Sequence, residues 1–70
     1  MNAWRASVGG RGLECCQFEC NGNKYIAYRT VGGPISKLCK RERTNARGAF
    51  YRQLNIHGYA ARAVLAQVQL

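Results

Sequence analysis

Ile35-Ser36-Lys37-Leu38-Cys39-Lys40-Arg41-Glu42-Arg43-Thr44-Asn45-Ala46-Arg47-Gly48-Ala49-Phe50-Tyr51-Arg52-Gln53-Leu54 is the stretch on which the fold turns, because it carries six of the chain's eleven lysines and arginines. At about 100° per residue, Ile35, Leu38, Cys39, Ala46, Ala49 and Phe50 fall in one arc, while Lys37, Lys40, Arg41, Arg43, Arg47 and Arg52 fill the opposite half. The spacing predicts a basic amphipathic helix over Ile35 to Leu54. Pro34 stands where the missing N–H of proline does least harm, in a first helical turn. Two residues fit poorly. Glu42 lies in the apolar arc and needs a base such as Arg29, and Gly48 weakens a helix by up to about 1 kcal/mol relative to Ala, so a bend or break is expected around 44–48.

Upstream, Leu13 to Thr30 reads as a β-hairpin, because two runs rich in Cys, aromatic and β-branched residues flank Asn21-Gly22, the favoured pair for a two-residue type I′ turn. That turn fixes the register. Glu19 then faces Lys24, Glu14 faces Arg29 and Phe18 faces Tyr25, two opposite-charge pairs and one aromatic pair of the kinds that stabilise sheets. Met1 to Gly12 shows no periodicity and is expected to be a flexible tail, with Trp4 either folded back over a thin core or held ready for a partner.

Downstream, Leu54 to Gly58 reads as a turn in which Asn55 or Gly58 takes a positive φ. A short second helix follows from about Tyr59, with Ala61, Val64, Leu65 and Val68 on one apolar face. The expected fold class is therefore α+β: one small domain over residues 13–70, a β-hairpin, a basic helix and a short C-terminal helix, in the order ββαα.

Composition bounds the function. A chain of 70 residues buries only about 60% of its unfolded surface, so the core is thin. Its net charge of +8 points to polyanionic partners. Eight of the eleven cations are arginines, which suits planar recognition of phosphate or carboxylate. No apolar run approaches the ~20 residues of a membrane span, and the first dozen residues lack the apolar run of a secretory leader. A cytoplasmic protein with no membrane partner is the expectation, and its four cysteines are then reduced thiols rather than a disulfide framework.

Cys15, Cys16, Cys20, Cys39 and His57 raise the question of a zinc site, but C-C-x3-C followed by a long gap lacks the tight ligand knuckle that structural zinc favours. Neighbouring Cys15 and Cys16 point to opposite faces of a strand, one into the core and one outward. Catalysis has little to work with: one His, no Asp and three Glu, two of them paired. No metal, no cofactor and no enzymatic activity are expected.

What remains is binding. A row of cations tracks a phosphate backbone with strong salt dependence and little sequence preference. The candidate contacts are Lys37, Lys40, Arg41, Arg43, Arg47 and Arg52, with Tyr51 placed to stack on a base or sugar. The first expectation is a small accessory or regulatory nucleic-acid-binding protein. The second is an interaction protein of the phage or mobile-element inhibitor type, docking on an acidic surface of a partner complex. A homodimer is a third possibility, raised by the exposed edges of a two-stranded sheet. The plainer alternative to all three is a solvated basic face.

Overall fold

The computed structural model describes residues 4–8, 11–44 and 48–68. It shows a five-stranded antiparallel meander followed by one short helix: β1 (Arg5–Ala6), β2 (Leu13–Cys20), β3 (Asn23–Thr30), β4 (Ile35–Thr44), β5 (Gly48–Leu54) and α1 (Tyr59–Leu65), with the strands side by side in chain order. This overturns the ββαα expectation. The stretch expected to be a long basic helix is a second hairpin, β4 against β5, and the fold is mostly sheet.

The first hairpin has the register that Asn21-Gly22 dictates. Both residues have positive φ, 52° and 81°, as a type I′ turn requires. Glu14 faces Arg29, Phe18 faces Tyr25 and Glu19 faces Lys24. The Phe18 and Tyr25 rings stack with centroids 5.5 Å apart, and Arg29 Nε donates to Glu14 Oε1 at 3.0 Å.

Why 35–54 imitates a helix is visible in the register. Tyr28 faces Lys37 but Arg29 faces Ile35, so Ser36 is an extra residue on β4, a β-bulge. The bulge brings Ile35 and Leu38, three apart in sequence, to the same face of the sheet, which is the spacing a helix would produce. Beyond it strict alternation holds: Leu38, Lys40 and Glu42 point one way, and Lys37, Cys39, Arg41 and Arg43 the other. The two residues that fit a helix poorly fit the hairpin well. Gly48 opens β5 at φ 104°, a value that L side chains rarely adopt, and Glu42 accepts hydrogen bonds from Arg52 across the hairpin at 3.0 and 3.2 Å rather than from Arg29. Pro34 precedes a strand, not a helix, a position where its missing N–H leaves no gap in the ladder.

α1 begins at Tyr59 as the apolar spacing predicts, burying Ala61 and Leu65. The turn before it differs in detail. Gly58 has φ −79° and Asn55 no positive φ; instead Asn55 Oδ1 accepts the His57 N–H at 3.0 Å, and its carbonyl accepts the Gly58 N–H at 2.9 Å. A Cβ on Gly58 would stand 3.1 Å from that carbonyl.

The core is one cluster between α1 and one face of the sheet: Cys16, Phe18, Tyr25, Ala27, Leu38, Ala61 and Leu65. Trp4 packs against it, with the Arg29 guanidinium 4.0 Å from its ring centroid, so Trp4 serves as a cap on the core. Arg5 and Ala6, within the stretch expected to be a tail, pair with Cys15 and Glu14. Among the described residues no helix is long and apolar enough to cross a membrane.

Two measurements check this packing. Leu38→Ala, at a fully buried site, is expected to cost about 2–5 kcal/mol in chemical denaturation, against less than about 0.5 kcal/mol for Arg41→Ala on the surface. Alkylation of the native chain is expected to modify the partly exposed Cys15 and Cys20 well before the buried Cys16 and Cys39.

Candidate nucleic-acid interface

A sheet covered on one side by a helix has a second side that meets water. Here that open face carries Arg5, Cys15, Gln17 and Glu19 from β1 and β2, Lys24, Ile26, Tyr28 and Thr30 from β3, Lys37, Cys39, Arg41 and Arg43 from β4, and Ala49, Tyr51 and Gln53 from β5. Adjacent Cys15 and Cys16 split between the two faces, Cys16 entering the core at 1% exposure and Cys15 lying on the open side.

Charge divides unequally between the faces. On the helix side, Glu14 pairs with Arg29 at 3.0 Å, and Glu42 takes both Arg52 at 3.0 Å and Lys40 at 3.8 Å. Two acids thus hold the three strand cations of that side. The open face sets Arg5, Lys24, Lys37, Arg41 and Arg43 against Glu19, which faces Lys24 across the first hairpin. Uncompensated cations gathered on one surface make a positive field that attracts polyanions.

The expected contact residues are divided by the same geometry. Lys37, Arg41, Arg43 and Tyr51 are brought together on the open face, with Arg41 and Tyr51 directly opposite each other. Lys40 and Arg52 face the helix side and are held by Glu42. Arg47, like Ala46, lies outside the described residues. The sequence reading passed over Arg5, Lys24 and Tyr28; alternation from the first hairpin's register was the signal that places Lys24 and Tyr28 beside Lys37 and Arg41.

The open face has its own dry strip. Ile26 and Cys39 are cross-strand partners only 7% and 5% exposed, yet neither belongs to the helix-side core. Tyr28 stands beside them with the Lys37 ammonium 5.3 Å from its ring centroid. Burial pushes the Tyr28 phenol above its ordinary value, helped by Cys39, Cys15 and Tyr51, so at neutral pH it is a hydrogen-bond donor. Tyr51 is 47% exposed, and with Gln17 and Lys24 it borders a shallow cavity of about 420 Å³. Among the described residues no three His, Cys, Asp or Glu side chains gather as a metal site would need.

Comparison with protein-family models, with curated proteins and with solved structures finds no match to this chain.

The raised phenol yields a pH prediction. The ionised forms of Tyr28 and of Cys16, whose thiol is likewise pushed up first by burial, are disfavoured in the folded chain. Their contribution to stability is fully present below the ordinary phenol and thiol values and is lost as pH rises through the raised folded ones. Thermal melts are expected to show the midpoint falling across that alkaline window, and Tyr28→Phe should flatten the fall and remove the late phenolate step from an absorbance titration.

Proposed function

We propose that the protein is a small nucleic-acid-binding module that holds its ligand against the open face of the sheet, chiefly through phosphate contacts from Lys24, Lys37, Arg41 and Arg43. The observation that carries this reading is the segregation of acids: Glu14 and Glu42 occupy the strand cations on the helix side, while the open-face cations outnumber their acid. A solvated surface gains nothing from that asymmetry, whereas a polyanion gains a field of one sign. The aromatic rings support it, since Tyr28 and Tyr51 lie among these cations, where bases or sugars can rest on them. The role is accessory or regulatory, in the cytoplasm, where thiols stay reduced.

Charge-matched variants test the reading. Arg41→Gln with Arg43→Gln and Lys40→Gln with Arg52→Gln each lower the net charge by the same amount. Net charge alone would therefore weaken binding to a generic duplex equally in both. The open-face site predicts that the first pair loses affinity and reduces the slope of log K against log salt by about two, while the second pair keeps most of both. Equal losses, or a larger loss from Lys40 and Arg52, would contradict it, and wild-type chain that binds neither DNA nor RNA at low ionic strength would leave an acidic protein surface as the partner.

A further inference from the structure

An open antiparallel meander ends on two edge strands, and the two edges of this one differ. β1 presents only two residues, Arg5 and Ala6, too short an edge to template another strand. β5 presents seven, Gly48–Leu54, in unbroken register with β4. Proteins protect an edge of that length with lysine, proline, a bulge or an unpaired charge. β5 holds no lysine and no proline, and no bulge interrupts it. Its single charge, Arg52, is drawn back towards β4 by Glu42 at 3.0 Å. Among the described residues, the outward N–H and C=O groups of residues 49–54 have no backbone partner, and Phe50 stands beside them 50% exposed.

We propose that β5 pairs antiparallel with β5 of a second copy, about a two-fold axis at Tyr51, to give a closed dimer with one ten-stranded sheet. The pairing goes beyond the nucleic-acid reading and does not depend on it. Three features select a second copy as the occupant. First, Tyr51 is the midpoint of β5, so a two-fold there pairs all seven residues: Gly48 with Leu54, Ala49 with Gln53 and Phe50 with Arg52 of the partner subunit. The exposed Phe50 ring then gains a guanidinium stem across the seam. Secondly, two chains of charge +8 repel, and the seam is where that repulsion is least. Each Arg52 keeps its own Glu42. Arg41 faces Tyr51, so the two copies of Arg41 lie three strand spacings apart, about 14 Å, beyond the ~8 Å Debye length of physiological salt. Thirdly, β1 is too short to receive β5, so head-to-tail growth into a filament has no second edge to use, and the two-fold pairing closes on itself. Residues directly opposite in a sheet share a face, so this register puts both α1 helices on one side and both open faces on the other.

Sedimentation of the full chain without nucleic acid tests the inference, with cysteine cross-linking to locate the seam. The expected result is a species of twice the chain mass that dissociates on dilution. In a background of Cys15→Ser and Cys20→Ser, Tyr51→Cys should form an interchain disulfide under mild oxidation, because residues on the axis stand about 4.5–5.5 Å from their own copies. Gln53→Cys, whose copies would stand more than about 10 Å apart, should not. Phe50→Lys sets two like-charge pairs against Arg52 of the partner subunit and should weaken the dimer roughly 2- to 30-fold. Tyr59→Lys, at an equally accessible site on α1, adds the same charge and should leave the dimer as it is. Both variants are at exposed positions and are expected to keep the monomer fold by circular dichroism. A single chain mass at every concentration, oligomers that grow beyond two, equal cross-linking from Tyr51→Cys and Gln53→Cys, or equal weakening by Phe50→Lys and Tyr59→Lys would each overturn the proposal. None of these results bears on whether the open face binds a nucleic acid.

Discussion

A strand buried on both faces needs a neighbour on each edge, and β3 is such a strand. Tyr25 and Ala27 enter the core beneath α1, while Ile26 between them is buried on the opposite side. A two-stranded hairpin cannot supply that environment. The segment after Pro34 must therefore pair with the second edge of β3, and once β4 is recruited, β5 follows through a short connection and α1 closes the one face rich enough in apolar side chains to hold it.

The same constraint sets the surface chemistry. Alternation along β4 sends Lys37, Arg41 and Arg43 one way and Lys40 and Glu42 the other. Glu42 then draws in Arg52 from β5, as Glu14 draws in Arg29 from β3. These partly exposed ion pairs contribute about 0–1 kcal/mol each to stability. Their larger effect is on the electrostatic field, because they quench one side of the sheet and leave the other positive.

How much of this the sequence disclosed depends on the range of the interaction that decides each element. The first hairpin was legible down to its register, since Asn21-Gly22 specifies it locally. So was α1, whose apolar residues repeat with the helical period. The stretch 35–54 was not, because a single bulge at Ser36 restored helical spacing between Ile35 and Leu38, and because the demand for a strand there comes from β3, outside the stretch itself. The clue lay in Tyr25-Ile26-Ala27-Tyr28, four successive apolar residues that a one-sided hairpin has no means of burying. The candidate site shared that fate: its residue types were visible, but helical parity merged Lys40 and Arg52 with Lys37, Arg41 and Arg43, which strand parity separates.

The central claim is that one face of this sheet, and not the other, meets a nucleic acid. Side-chain resonances report on it most directly, because both faces carry rings. In a titration of the isotope-labelled chain with a short DNA duplex, the account predicts shifts in the Tyr28 and Tyr51 rings and the Gln17 and Gln53 side-chain amides, with Phe50, Tyr59 and the residues of α1 unmoved. Shifts centred on Phe50 and α1, with Tyr28 and Tyr51 unchanged, would contradict it.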